Sequence, residues 1–173
     1  MVIWLNSTFG AGKTTTATAL LGLLDGFRIF DPETVGYMLQ PNLVDLPVSD
    51  FQHWAAWRPL VVATAHALIA QTGQDLIAPQ TVLDEGYMGE ILDGFEHGGT
   101  PVFHVVLDCR LDVLRQRIVA SPEATEWRLA HLEAYEAARP WMLSAAHLVV
   151  DTTTTSPHNV AAAISTAARL ARR

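Results

Sequence analysis

The chain has 173 residues, half of them hydrophobic and only 17% charged, which excludes a disordered polypeptide and suits one domain with a real core. Its net charge of −7 excludes the basic footprint by which proteins grip nucleic acid. Cys109 is the sole cysteine, and no basic leader or long apolar run is present, so no internal disulfide, a cytoplasmic location and no membrane span are expected.

Val2-Ile-Trp-Leu5 reads as a core strand that runs directly into Asn6-Ser-Thr-Phe-Gly-Ala-Gly-Lys-Thr-Thr15. The phosphate-loop pattern G-x-x-x-x-G-K-[ST] is met at Gly12, Lys13 and Thr14, while Ser7 stands at its first glycine position. Small residues let successive backbone N–H groups turn inward as an anion nest. The helix that follows adds unpaired donors and the positive end of its dipole. Phe9, Gly10, Ala11, Gly12, Lys13, Thr14 and Thr15 are therefore the expected triphosphate-binding residues. Lys13 is placed to reach the β- and γ-phosphates, and the Thr14 hydroxyl to complete the coordination of Mg²⁺.

Strand and helix patterns alternate from here on, predicting an α/β fold with a parallel sheet covered on both faces. A first helix is expected over Gly12–Leu24, burying Ala17, Leu20, Leu21 and Leu24 and stopping at Asp25-Gly26. Phe27–Phe30 is a short second strand, followed by a short helix over Thr34–Leu39. Asp50 can cap a helix that Pro59 then interrupts, predicting two helical pieces or one kinked helix. Leu76–Pro79 makes a third strand, Tyr87–His97 a helix, and Val102–Leu107 a strongly apolar fourth strand. Helices over Leu111–Ala120 and Glu123–Ala138 are separated by Ser121-Pro122. Leu148–Val150 is a fifth strand, and Ser156-Pro157 opens a last helix with Val160, Ala163, Ile164, Ala167 and Ala171 facing inward. No linker divides residues 1–173, which are read as one unit with an acceptor-binding segment at about 33–72 and a lid at about 117–138.

Ligands of open α/β sheets lie beyond the carboxyl ends of the strands. Asp31 sits there, at the end of the second strand, where a carboxylate can take a proton from an attacking hydroxyl; its alternative is to open the turn before Pro32. Trp54, Trp57 and Arg58 form an aromatic and guanidinium cluster suited to stacking an acceptor ring and pairing with an anion. Core filling is the alternative for the tryptophans, and an acidic neighbour for Arg58. In the lid, Arg117 is expected beside the adenine and α-phosphate. Arg128 is expected to swing toward the transferring phosphoryl group, with a solvated face as the alternative for both. Asp84, in Val82-Leu-Asp-Glu85, falls past the third strand and reads as a helix cap. The seven histidines lack the spacing of a metal site.

Taken together, Ile3-Trp-Leu-Asn6, Phe9-Gly-Ala-Gly-Lys-Thr14, Phe30-Asp-Pro-Glu33, Val35-Gly36, Asp50-Phe-Gln52, Trp57-Arg58 and Pro79-Gln-Thr81 resemble the tunicamycin-resistance protein family. These are small ATP-binding proteins with a nucleoside-kinase-like P-loop fold. The motifs cover the first half of the chain; the second half is similar only in its strand-then-arginine-helix pattern. The resemblance implies a five-stranded parallel sheet in the order 2-3-1-4-5, ATP with Mg²⁺, and resistance to a uridine-containing antibiotic. More distantly the chain is similar to chloramphenicol phosphotransferases and shikimate-kinase-like enzymes, in which an acid after the second strand and an arginine in the following helix serve the acceptor. Asp31 and Arg58 occupy those places. Two departures are Ser7 and the lack of an aspartate at the end of the third strand.

The expected function is that of an ATP-dependent phosphotransferase acting on a hydroxyl of a small molecule of the tunicamycin type, with Lys13, Asp31 and Arg128 catalytic. The alternative is a protein that sequesters the antibiotic in an ATP-dependent way without modifying it. A guanine-binding switch is excluded by the lack of an N/T-K-x-D signature. A homodimer is left open.

Overall fold

The computed structural model describes residues 1–122 and 126–172. Its five strands are β1 (Val2–Asn6), β2 (Phe27–Ile29), β3 (Asp75–Pro79), β4 (Val102–Asp108) and β5 (Leu148–Asp151). All pair in parallel, in the order β2-β3-β1-β4-β5, as the resemblance implies. Seven helices are described: α1 (Lys13–Leu21), α2 (Glu33–Leu39), α3 (Trp57–Thr72), α4 (Glu85–His97), α5 (Leu111–Ala120), α6 (Glu126–Ala145) and α7 (Pro157–Ala171).

The strand period of two divides the core. Along β1, Val2 and Trp4 join one apolar cluster with residues of α2, α3 and α4, while Ile3 and Leu5 join another with α1, α5, α6 and α7. Both faces of the central strand are fully buried, which is why its sequence is uninterrupted in apolar character. The carboxyl ends of β1, β3 and β4 meet at one edge, where the loop after β1 lies.

Several boundaries differ from the sequence expectation. Helix α1 ends at Leu21 with Gly22 as its cap, so Leu21 is exposed and the inward residues are Thr16, Ala17 and Leu20. Helix α6 continues past Ala138 to Ala145 through Pro140, which is exposed; the missing donor there leaves only a solvent-side carbonyl unpaired within the helix. The start expected at Glu123 lies outside the described residues. Helix α7 buries Val160, Ala161, Ile164, Ser165 and Ala168, whereas Ala163 and Ala171 face out. In so alanine-rich a helix the apolar stripe has little contrast, and the packed face is turned by one position.

The segment before α3 forms two pieces, as Pro59 requires. Asp50 Oδ1 accepts from the Gln52 N–H at 2.9 Å and caps a single tight turn, Phe51–His53. Helix α3 then begins at Trp57, with Pro59 in its first turn, where no intrahelical donor is lost. Gly36 in α2 makes this arrangement possible: a Cβ there would come within 2.8 Å of the Phe51 ring.

Candidate functional site

The loop after β1 takes its shape from two glycines. Gly10 and Gly12 have φ of 79° and 92°, a region that side chains disfavour, and a Cβ on Gly10 would also lie 3.2 Å from Ile118 Cγ1. Ser7 needs no such freedom. It has no positive φ, is fully buried, and its hydroxyl donates to the Leu107 carbonyl at 2.6 Å, tying the loop to β4. One residue earlier, the Asn6 side chain donates to the Val82 carbonyl and accepts from the Val82 N–H, both at 2.9 Å. This pair pins the chain after β3 against the start of the loop. The signal for Ser7 and Asn6 was present in the sequence only as two polar residues at the end of a buried strand.

Lys13 Nζ donates to the Thr8 carbonyl at 2.8 Å across the loop. Burial pushes its ammonium down to about 7, opposed by the charge of Glu33 and reinforced by that of Arg128. The Thr8 hydroxyl is buried and has no partner among the described residues. A lysine short of negative charge, an unpaired buried donor, and left-handed glycines at a helix N-terminus together fit a polyphosphate. Thr14, exposed in the first turn of α1, carries a hydroxyl suited to a Mg²⁺ that phosphate oxygens also hold. Among the described residues no group of three His, Cys, Asp or Glu side chains offers a metal site by itself.

Two cavities flank the loop. The smaller, of about 380 Å³, is lined by Gly10, Ala11, Gly12, Thr15, Arg117, Thr152 and Pro157. Arg117 is fixed there: Nη2 donates to the Thr152 carbonyl at 2.8 Å and Nη1 to that of Gly10 at 3.4 Å. The larger cavity, of about 650 Å³, opens on the other side of Phe9 and is walled by α2, the 48–54 segment, the 80–87 segment and α6. Trp54 lines it and donates its indole N–H to the Leu46 carbonyl at 2.8 Å.

Trp57 and Arg58, expected to face the acceptor, do not line this cavity. Trp57 is fully buried in the core and donates to the Pro32 carbonyl at 3.2 Å. Arg58 is also buried; Nε donates to Glu90 Oε2 at 2.6 Å, Nη1 to the Gln52 carbonyl at 2.7 Å, and its guanidinium lies 4.1 Å from the Tyr87 ring centre. The acidic neighbour satisfies Arg58, and the first turn of α3 points both side chains inward. Asp31 is exposed; Oδ1 accepts from the Glu33 N–H at 3.0 Å, framing the turn into α2. Glu33 lines the larger cavity and accepts from the Tyr37 hydroxyl at 3.0 Å. Asp84 lines it too, and caps α4 by accepting from the Tyr87 N–H at 2.9 Å.

Phe9 is held by the near end of α6. Its ring centre is 5.1 Å from that of Trp127 and 5.2 Å from that of His131, and the Arg128 guanidinium carbon lies 5.2 Å from it. Arg128 thus stands at the boundary between Lys13 and the larger cavity. Farther along α6, Arg139 makes a two-pronged bond to Asp108 at the end of β4, at 2.7 Å for each oxygen, and the Tyr135 hydroxyl joins it at 2.8 Å. The Arg139 guanidinium holds the Asp108 carboxyl below the usual carboxylate range, and burial with the Asp108 bond pushes the Tyr135 phenol up. Sequence reasoning missed this anchor, since a strand-end aspartate and a helical arginine far apart carry no spacing signal.

The family model described as an AAA domain matches residues 2–141. A comparison with curated protein sequences finds no match. Among solved structures, the tunicamycin resistance protein of Deinococcus radiodurans is similar with a TM-score of 0.79, at 24% identity over 97% of this chain and 95% of that one. A sugar kinase from Janibacter sp. HTCC2649 gives 0.65 at 18% identity, covering 97% and 94%. The shikimate kinase of Acinetobacter baumannii, in complex with shikimate, gives 0.63 at 17% identity, covering 99% and 94%. At these identities the likenesses establish the fold, that of small P-loop kinases, and the extent of the family match establishes that the chain belongs to the AAA domain family.

Proposed function

We propose that the chain is an ATP-dependent phosphotransferase acting on a hydroxyl of a small molecule, plausibly a nucleoside antibiotic of the tunicamycin type. The observation that carries this reading is the placement of Lys13 and the glycine loop between two separate cavities. The cavity beside Arg117 takes the nucleoside end of ATP, and the larger one, formed by the acceptor segment of residues 33–72, the 80–87 segment and the lid of residues 117–138, takes the acceptor. The name of the Deinococcus radiodurans protein supports the antibiotic class.

In this reading the acceptor oxygen forms a bond to the γ-phosphorus while the bond to the bridging oxygen of ADP breaks, ADP leaving with the electron pair. Lys13 and Arg128 hold the charge on the transferring group, and the backbone at Phe9, Gly10, Ala11 and Gly12 with Thr15 orients the chain of phosphates. Mg²⁺, held by Thr14 Oγ1 and phosphate oxygens, would supply further charge neutralisation. The proton of the acceptor hydroxyl passes to a carboxylate after β2. The place of Glu33 in the cavity favours it as the acceptor of that proton, with Asp31 acting through the turn that positions Glu33.

Incubation with ATP, Mg²⁺ and a panel of tunicamycin, uridine and chloramphenicol, read by mass spectrometry for an added phosphoryl group, tests the reading. Glu33→Gln is expected to lose transfer more completely than Asp31→Asn; the opposite order returns the proton-accepting role to Asp31. One observation favours the second reading, ATP-dependent sequestration: β3 is followed by Gln80 where an aspartate would assist Mg²⁺. Tight tunicamycin binding that needs ATP, with no phosphorylated product, establishes that alternative.

A further inference from the structure

Resting on the proposed role of the larger cavity as the acceptor site, we infer that it takes a neutral ring compound which presents an N–H or O–H donor to Gln80, and that it rejects anionic acceptors. Gln80 follows β3, is 2% exposed, and lines the cavity. Its Nε2 donates to the Thr81 carbonyl at 3.1 Å, while its Oε1 is buried and accepts from no described residue. The amide cannot profitably be turned over. The Thr81 carbonyl also accepts from Gln52 Nε2 at 2.8 Å, and a reversed Gln80 would set oxygen against oxygen there. A fixed, dry acceptor atom in the wall of a cavity calls for a donor from whatever fills it.

The charge of the wall selects further. Glu33, Asp50 and Asp84 line the cavity against one guanidinium, that of Arg128. Each carboxylate has an oxygen engaged by a donor of the protein, from Tyr37, Gln52 or Tyr87, which favours its ionised form. Arg58, the cation nearest in sequence to the cavity wall, is committed to Glu90 and the Gln52 carbonyl. A phosphate or carboxylate on the acceptor would therefore meet net repulsion. Trp54, Tyr87 and Trp127 supply ring faces and edges for a neutral aromatic guest.

Uridine, N3-methyluridine and uridine 5′-monophosphate are the probes: a neutral ring N–H, the same ring with that donor blocked, and the same ring made anionic. Binding is read by titration calorimetry in the presence of Mg²⁺ and a non-hydrolysable ATP analogue, and phosphoryl transfer separately by mass spectrometry. The expected result is a preference of about tenfold or more for uridine over each of the other two, the scale of one hydrogen bond to a dry site. In Gln80→Leu the preference over N3-methyluridine collapses while the preference over the monophosphate remains, a pattern that mere unfolding does not produce. Equal binding of uridine and its monophosphate, no binding of uridine, or an unchanged N3-methyl preference in a folded Gln80→Leu variant overturns the inference. Uridine binding without transfer leaves it standing and defeats the kinase reading instead; transfer to an anionic acceptor does the reverse.

Discussion

The two cavities beside the loop are made in different ways. The smaller one uses mostly backbone: left-handed glycines, a helix N-terminus, and carbonyls that hold Arg117 in place. The larger one is walled by side chains from α2, the 48–54 segment, the 80–87 segment and α6, brought together only by folding. A backbone site can be spelled in one contiguous stretch, because its donors are the same whatever the residue. A side-chain site depends on which way each element faces. The first kind fixes what every P-loop protein shares, and the second is free to set what this one accepts.

The sharpest way to break that contrast is to remove the one side chain on which the backbone site depends. Lys13→Ala is expected to lower phosphoryl transfer by roughly 10²–10³-fold, the scale of one donor to developing charge, measured as initial rate at saturating ATP. Transfer near the parent rate would mean that the loop acts by backbone alone. Next in size is acid destabilisation of the sheet beneath the smaller cavity. His104, fully buried in β4 beside His147, is pushed down to about 4 by burial, with its Nδ1 3.3 Å from the Ala145 carbonyl. Below pH 6.5 the unfolded chain takes up a proton that the folded one refuses, so stability falls as pH drops from 6.5 to about 4. The expected loss is about 3 kcal/mol, read by denaturant melts across that window, and His104→Leu is expected to flatten the slope.

Arg58→Met tests the acceptor side. It leaves the Gln52 carbonyl unpaired, for an expected cost of about 1–3 kcal/mol in stability, while ATP affinity measured by calorimetry stays at the parent value. A drop in ATP affinity would show that the two sides are not built independently. The smallest effect is expected from Tyr135→Phe, which removes one of three bonds to Asp108 at about 1 kcal/mol and leaves Arg139 to hold α6. Its melting temperature tests whether the lid's anchor is redundant.

The same contrast explains what could be read from the residues. Gly10, Gly12, Lys13 and Thr14 announced their site because spacing along one strand-to-helix turn is the whole requirement. The strand order was accessible only through family resemblance, and the structure bears it out. Trp57 and Arg58 were misread because a rotation of one helix decides between core and cavity, and composition does not encode that rotation. Glu33 was taken for a first-turn helix residue, which it is, but its side chain also lines the larger cavity. Gln80 carried no pattern at all; it became informative only when its Oε1 was found buried without a partner.

Asn6 belongs to neither cavity, yet both depend on it. By gripping the backbone of Val82 from the root of the phosphate loop, it makes the floor under the acceptor and the cradle of the nucleotide one mechanical piece. Two equilibria that share a rigid element are linked, and linkage is symmetrical: whatever a bound triphosphate contributes to acceptor affinity, a bound acceptor returns to the triphosphate. One amide thus gives the protein a means of sensing whether both partners are present.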